Sequence, residues 1–504
     1  MINVAAKRIK AVAVLLVGAA TAAAQQPFDL DLSFQTTIER IYVSSIALMS
    51  NGKILVSGRI GFTNNQLDPE MGSVRLFPNG SWDSSFPTFP LTIGAGKITP
   101  WADQYYVATA QLVRRLTPEG LIDPTFQHLN DNAPLFSSFQ GGDYHVYPDG
   151  SIVITGSHTM NVPDSGWVGS HHMIWFNNDG TLDFTRRPRR GNGTISLIVP
   201  QPDGKFLLSG AATTWEGVPK PNIFRVHTDG TLDTSFTCAM GWGEAASMTV
   251  LDDGRILVSG LFKTQFSSPD TLHFVRLMPN GDLDPTFNND LEVVRMPWLS
   301  SEWPGNTINW GQFGLVGHTR ISDGRIVMWG VHMLVEGQER LGIAMLDPDG
   351  ELLEEPFGAG GCGRYYSPGT GYLYGEISGI IEAPDGFFYI WGAYKGYDDG
   401  TTNDPTQRFI SRLYGLNVGV AEREQVQVEV FPNPSAGEVI VELERSLGVE
   451  TLEVHDALGR SVLQQLITGT RVMLDLSQQA DGLYTVTLRG RAHATVVRRV
   501  VIQR

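Results

Sequence analysis

Asp253-Gly254-Arg255-Ile256-Leu257-Val258-Ser259-Gly260, followed by Arg276-Leu277-Met278-Pro279-Asn280-Gly281-Asp282-Leu283-Asp284-Pro285-Thr286-Phe287, is one phrase in two halves, and the chain keeps returning to it. Copies of the first half stand at 51–58, 149–156, 203–210, 323–330 and 385–392, with a worn one at 103–110. Copies of the second stand at 74–86, 115–126, 175–184 and 225–236, with a weak one at 345–357. A phrase recurring at intervals of 46 to 70 residues marks a repeat architecture, in which each unit buries its face against the next.

Within a copy, runs such as Ile54-Leu55-Val56 and Ile256-Leu257-Val258 read as strands, and Pro-Asp-Gly or Pro-Asn-Gly stands between runs. Pro presets φ, Asn or Asp suits the next turn position, and Gly supplies the positive φ of a three-residue hairpin loop. Each copy therefore predicts four antiparallel strands, a propeller blade. Leu30-Asp31-Leu32-Ser33-Phe34 matches the close of the second half, whereas the last copy ends at Arg412-Leu413 without that close. Each end lacks what the other has. The expectation is an all-β chain: a seven-bladed β-propeller closed by the N-terminal strand, followed by a small C-terminal Ig-like β-sandwich.

The turn geometry places the residue five before its Gly opposite the residue three after it. Those residues are Arg75 and Asp83, Arg115 and Asp123, Arg225 and Asp233, Arg276 and Asp284, and, across the ring closure, Arg412 and Asp31. Five structural ion pairs are expected. In the sixth copy Met345 and Leu353 replace both charges, and in the third Trp175 stands where the Arg would be, with Asp183 kept. The alternative, an arginine cluster gripping an acidic glycan, fits less well because repetition in every blade signals scaffold.

The chain has 504 residues, 42% of them hydrophobic, and a net charge of -16. That charge excludes a nucleic-acid partner, which needs clustered Lys and Arg. Lys7, Arg8 and Lys10 precede an apolar run over 11–20 and then Ala22-Ala23-Ala24, the pattern of a cleaved signal peptide at 1–24; the run is too short for a transmembrane anchor. Cys238 and Cys362 are the only thiols. They are expected to be unpaired, a single bridge being the alternative.

The 253–260 and 276–287 phrase resembles the delta-60 repeat family of β-propellers, a likeness that covers 28–413 and implies a bacterial secreted or surface propeller with no shared reaction. The copies around Asp103 and Met345 depart from its pattern. After a linker at 419–425, three motifs appear: Val428-Glu429-Val430-Phe431-Pro432-Asn433-Pro434-Ser435-Ala436-Gly437, Leu452-Glu453-Val454-His455-Asp456-Ala457-Leu458-Gly459-Arg460 and Gly482-Leu483-Tyr484-Thr485-Val486. They resemble the C-terminal sorting domain of the type IX secretion system. The resemblance implies that residues 426–504 engage that machinery and that the protein, propeller 25–418 included, is secreted or held on the outer surface of a Gram-negative bacterium.

No His-Glu-x-x-His or Gly-x-Ser-x-Gly motif is present. Gly358-Ala359-Gly360-Gly361-Cys362-Gly363 fits dinucleotide spacing but lies between blades rather than in a βαβ unit. Asp347-Pro348-Asp349-Gly350 reads as turn chemistry rather than a calcium loop. His158, His171 and His172 read as a solvated loop. No catalytic residue, metal or cofactor is expected. The longer segments emerge on one face and carry Trp167, Trp215, Trp298, Trp303, Trp310, Tyr394 and Tyr397, the candidate binding residues for a glycan or protein. Rings sealing the loops over the blades are the alternative. The reading is a noncatalytic binding module; a propeller hydrolase or lyase acting on extracellular polysaccharide is the runner-up.

Overall fold

The computed structural model describes residues 25–65, 67–109, 112–295, 307–308, 316–358, 360–367, 372–417, 428–443, 450–456, 460–467, 469–489 and 495–504. The predicted signal peptide, the linker, and Trp298, Trp303 and Trp310 lie outside the described residues. Among those described, the regular structure is strand, apart from two short 3-10 turns at Leu129–Asn132 and Pro163–Ser165. The chain divides into two compact units, 1–418 and 419–504.

In the first unit each repeat forms an antiparallel sheet with the Ser-Gly strand in the middle. Sheet one joins Arg40–Leu48, Ile54–Gly61 and Met71–Leu76; sheet two Ile98–Trp101, Gln104–Ala108 and Val113–Leu116; sheet three Phe136–Val146, Ile152–Val162 and Trp167–Phe176. Sheet four joins Ile195–Pro200, Phe206–Gly210 and Ile223–Val226; sheet five Trp242–Val250, Ile256–Lys263 and Leu272–Leu277; sheet six Gly317–Arg320, Ile326–Trp329 and Ile343–Leu346; sheet seven Glu376–Glu382, Phe388–Asp398 and Asn403–Leu413. The expected fourth strand is reduced to isolated bridges: Leu76 with Trp82, Leu116 with Ile122, Phe176 with Leu182, Val226 with Leu232, Leu277 with Leu283 and Leu346 with Leu352, with a second further on in sheets one and three, Ser73 with Phe89 and Met173 with Arg189. Pairing is interrupted because the next Asp turns the chain away, its side chain accepting the backbone N–H two residues on, as Asp123 does from Thr125 at 2.8 Å. In sheet seven the bridge comes from the start of the chain. Leu30 bridges Leu413, and Asp31 N donates to Arg412 O at 2.9 Å.

Adjacent sheets share hydrophobic cores. Leu207 and Ile223 of sheet four pack with Val258 and Phe262 of sheet five; Leu257 of sheet five packs with Ile326 and Ala344 of sheet six; Val327 and Ile343 pack with Ile377 and Ile390 of sheet seven. Val43, Ile54 and Val56 of sheet one then pack with Tyr389, Phe409 and Ile410 of sheet seven.

The five Arg–Asp pairs have short contacts: Arg75 to Asp83 2.7 Å, Arg115 to Asp123 2.6 Å, Arg225 to Asp233 2.8 Å, Arg276 to Asp284 2.7 Å and Arg412 to Asp31 2.7 Å. The Phe three residues after the Asp lies beneath the guanidinium, 4.7 Å away at Phe287 and 5.0 Å at Phe126. The intervening hydroxyl bonds both partners: Thr286 Oγ1 donates to Asp284 at 2.7 Å and accepts from Arg276 Nη2 at 3.0 Å. A second base that the sequence reading missed joins three of the carboxylates, Lys53 at 2.8 Å from Asp83, Lys205 at 3.0 Å from Asp233 and Arg255 at 3.0 Å from Asp284. Burial acts to raise the carboxyls of Asp83, Asp123, Asp233 and Asp284; hydrogen bonds from hydroxyl, backbone and basic groups outweigh it and hold them well below the usual range, Asp123 at about 2.

Each Arg also reaches the neighbouring sheet's hairpin: Arg75 donates to Glu119 O, Arg115 to Asn178 O, Arg225 to Pro279 O, Arg276 to Pro348 O and Arg412 to Pro78 O. In sheet three, where Trp175 replaces the Arg, Arg189 donates instead to Asp229 O at 2.8 Å. Asp183 keeps its Thr185 hydrogen bonds and takes as counter-charge the half-exposed Arg186, at 3.6 Å. Sheet six has Met345 in the Arg position. Its neighbour, sheet seven, carries no hairpin at that place, because Tyr414 and Phe28 meet there as separate ends of chain.

The second unit has two antiparallel sheets. One orders Val428–Phe431, Glu438–Leu443 and Arg471–Asp475; the other Ser461–Ile467, Glu450–His455, Gly482–Arg489 and Thr495–Ile502. Val439, Val441 and Leu474 of the first share one core with Leu452, Val486 and Val500 of the second.

Candidate functional site

A bulge recurs in the inner strands of the first unit. Pairing skips between Val43 and Ser45, Gly141 and Tyr144, Ile195 and Leu197, Ala245 and Ser247, and Ile377 and Gly379. A bulge leaves a residue unpaired and re-aims its neighbours. Here the skipped residues Ser44, Gly142, Asp143, Ser196, Ala246 and Ser378 all line one cavity of about 530 Å³, to which each of the sheets numbered one to seven above contributes.

The repeat pattern breaks at this cavity. At the residue before the repeat Gly, Ser57, Ser209 and Ser259 are fully buried, whereas sheets six and seven place Trp329 and Trp391 there, on the cavity wall. Each indole lies over a glycine of the inner strand: a Cβ at Gly317 would come within 2.1 Å of the Trp329 ring, and one at Gly379 within 2.3 Å of Trp391. Their N–H groups are engaged, Trp329 Nε1 donating to Thr319 Oγ1 at 3.1 Å and Trp391 Nε1 to Ser44 O at 3.0 Å. Ring surface is what they offer a ligand.

Three carboxyls line the cavity. Asp143 is neutralised by Lys97 at 2.9 Å, and its second oxygen accepts from Ile198 N. Glu376 is 6% exposed, accepts no hydrogen bond from a described residue, and is pushed up by burial to about 8. Burial also raises Glu244. Three of the four lining serine hydroxyls are used within the protein: Ser44 Oγ donates to Ala95 O, Ser45 Oγ accepts from Ile98 N, and Ser196 Oγ donates to Ser209 O.

The candidate aromatics that lie among the described residues, Trp167, Trp215, Tyr394 and Tyr397, fall outside this cavity lining. Trp215, Tyr394 and Tyr397 are buried and correct the expectation of an aromatic loop surface. Trp215 Nε1 donates to Gly230 O at 2.9 Å, and Tyr394 donates to Ser411 Oγ at 2.9 Å. They turn inward because the presumed loops continue as paired strands, Phe388–Asp398 against Asn403–Leu413 in the case of the tyrosines. Trp167 is half-buried and stacks on Phe184 at 6.1 Å. His158, His171 and His172 are likewise buried on paired strands rather than in a solvated loop. Among the described residues no group of three or more His, Cys, Asp or Glu is placed to hold a metal ion. Cys238 and Cys362 are buried and unbridged. Glu244, Trp329, Glu376 and Trp391 were missed by the sequence reading; Trp for Ser in Met328-Trp329-Gly330 and Ile390-Trp391-Gly392 was the available signal.

Residues 50–86, 201–236 and 251–287 match a domain of unknown function, DUF5122, described as a β-propeller, and residues 429–503 match the secretion system C-terminal sorting domain. The chain is a repeat propeller carrying a secretion sorting tail. The tail implies export of the propeller through the type IX system, to the cell surface or the medium. No helix among the described residues is long and apolar enough to cross a membrane. No curated protein matches the propeller chain. Among solved structures it is similar to PorZ, a surface component of the type IX secretion system of Porphyromonas gingivalis, at 12% identity and TM-score 0.36, covering 92% of this chain and 66% of that one. It is similar to the extracellular domain of a one component system of B. thetaiotaomicron at 11% and 0.43, covering 96% and 59%. A gluconolactonase of Xanthomonas campestris gives 12% and 0.28, covering 77% and 97%. The chain thus spans less than two thirds of the length of the first two, and likeness at this level bears on no function.

Proposed function

We propose that the protein is a noncatalytic binding module displayed on, or released from, the surface of a Gram-negative bacterium, its ligand a glycan or protein. Residues 1–24 are its cleaved signal peptide, 25–418 a seven-bladed propeller closed by the N-terminal strand, 419–425 a linker, and 426–504 an Ig-like sorting sandwich that engages the secretion machinery. Closure draws support from the bridge between Leu30 and Leu413 and from the core shared by sheets one and seven. Binding rests on one observation: the scaffold pattern is given up for indole rings at Trp329 and Trp391, where they face a cavity. The carboxyls Glu244 and Glu376 on the same wall are the feature that the hydrolase or lyase reading would use. A glycan-array and surface-protein screen of the purified full chain, paired with a hydrolysis assay on the same sugars, tests the choice. Binding without turnover is expected; turnover that scales with enzyme concentration overturns it.

A further inference from the structure

The cavity is chemically lopsided. On the side of sheets two to four it is lined by Gly96, Gly142 and Ser196 and by the self-neutralised pair Lys97 and Asp143. On the side of sheets five to seven it is lined by Glu244, Trp329, Glu376 and Trp391, with no Lys or Arg among them. Both acids occupy one repeat position, the residue before the partner of the repeat Gly, because Ala245 pairs Gly260 and Ile377 pairs Gly392. Sheet one has Tyr42 at that position and sheet four Thr194. The scaffold therefore does not require carboxyls there.

A carboxyl that is nine-tenths buried and accepts no hydrogen bond is tolerable in only two states: protonated, or facing a cation. Glu376 is such a group. Beside it stand two indole rings, whose faces attract cations. Of the four lining serine hydroxyls, those of Ser44, Ser45 and Ser196 are already committed to Ala95 O, Ile98 N and Ser209 O. What dominates the wall of sheets five to seven is negative charge and aromatic surface, with the single hydroxyl of Ser378 beside them.

We propose that the wall formed by Glu244, Trp329, Glu376 and Trp391 binds a primary ammonium group carried on an alkyl chain, such as a diamine or a lysine side chain. The site deepens the binding function proposed above and rests on it. The ammonium faces the Glu376 carboxylate and the alkyl chain runs along the indoles, with Glu244 as the second counter-charge. Occupation requires Glu376 to give up its proton, so affinity rises with pH while the ammonium stays charged. The titratable groups facing Glu376 are Cys362 and Tyr365, and burial keeps both neutral in this range, Cys362 at about 12.

Isothermal titration of the full chain with 1,5-diaminopentane, with pentane-1,5-diol, and with acetyl-Gly-Lys-Gly-amide beside its norleucine counterpart tests the site. The diamine is expected to bind at least tenfold more tightly than the diol, at least tenfold more tightly at pH 7.5 than at pH 5.5, and at least tenfold more weakly to Glu376→Gln or Trp391→Leu. Lysine peptide binding assigns the source to a protein, diamine binding alone to a free amine. Equal binding of diol and diamine, an unchanged affinity in Glu376→Gln, or displacement of the diamine by millimolar calcium overturns the proposal. Should Glu376→Gln not fold, the diamine and diol comparison on the unaltered chain decides. A glycan-array hit with no diamine binding sinks this site and leaves the binding function standing; polysaccharide turnover sinks that function instead.

Discussion

Arg412 Nη2 lies 2.7 Å from Asp31 Oδ2, although 381 residues separate the two in the chain. Arg412 Nε also donates to Asp31 Oδ2 at 2.8 Å, as Arg115 Nε does to Asp123 Oδ2 only eight residues away. One local motif thus serves both as a hairpin lock and as the tie between the N-terminal segment and the strand Asn403–Leu413.

Breaking such a pair on one side leaves a buried charge. Arg115 and Asp123 are each within a few per cent of full burial, so Asp123→Leu is expected to cost about 3–5 kcal/mol in denaturant unfolding. Adding Arg115→Met recreates the Met345 and Leu353 arrangement of sheet six and should recover more than half of that loss. A double variant as unstable as the single one refutes the account.

Phe28 is 2% exposed and stacks on Phe388 at 4.7 Å while meeting Phe357 edge-on at 5.3 Å. Phe28→Ala should lower stability by about 3–5 kcal/mol. An effect below about 1 kcal/mol would show that the N-terminal segment holds little of the structure.

The lowered carboxyls set an acid limit. A carboxylate whose folded pKa is depressed contributes stability above its unfolded value of about 4 and loses it as pH falls through the folded value. Asp123, at about 2, and the still lower Asp83, Asp233 and Asp284 make that loss begin near pH 4 and continue through pH 2 and below. Thermal melts across this window should fall steeply, and Asp123→Asn should flatten part of the fall.

Glu376 has the opposite sign. Raised from 4.5 to about 8, it favours the folded state at low pH and withdraws that contribution as pH climbs from 4.5 through 8. Glu376→Gln should therefore gain on the parent chain by on the order of 3 kcal/mol at pH 9 and by little at pH 4. Equal melting curves at pH 9 would count against burial of an unpaired carboxyl.

A chain ending at residue 428 lacks the sorting domain matched over 429–503. It should fold but stay within the cell envelope, which fractionation and immunoblotting of the medium and the surface would register. Full release of the truncated chain would contradict the role of the tail.

Much of the fold was legible because the repeat supplies its own controls. Seven imperfect copies expose which residues vary together, and Arg225 with Asp233 can be paired from spacing alone once the turn is read. The cavity was not legible. A strand read at a strict period of two assigns Ser44, Ser196 and Ser378 to the wrong face, since the bulge breaks the alternation just before them. The loop aromatics failed for a related reason. Hydrophobic rings in long insertions look exposed until the insertion is known to continue as paired strands, as it does around Tyr394 and His158. The reach of each Arg to the next sheet's turn carbonyl lies beyond sequence, because it depends on how far one sheet stands from its neighbour.

The joint at Leu30 and Leu413 also imposes an order of events. A newly made molecule carries the Phe28 segment as a bare, sticky edge until the very last strand of the propeller is available, and contacts this distant in sequence form slowly. Interruption of synthesis anywhere before residue 412 leaves that edge open to aggregation, whereas a protease cutting after 417 leaves it covered.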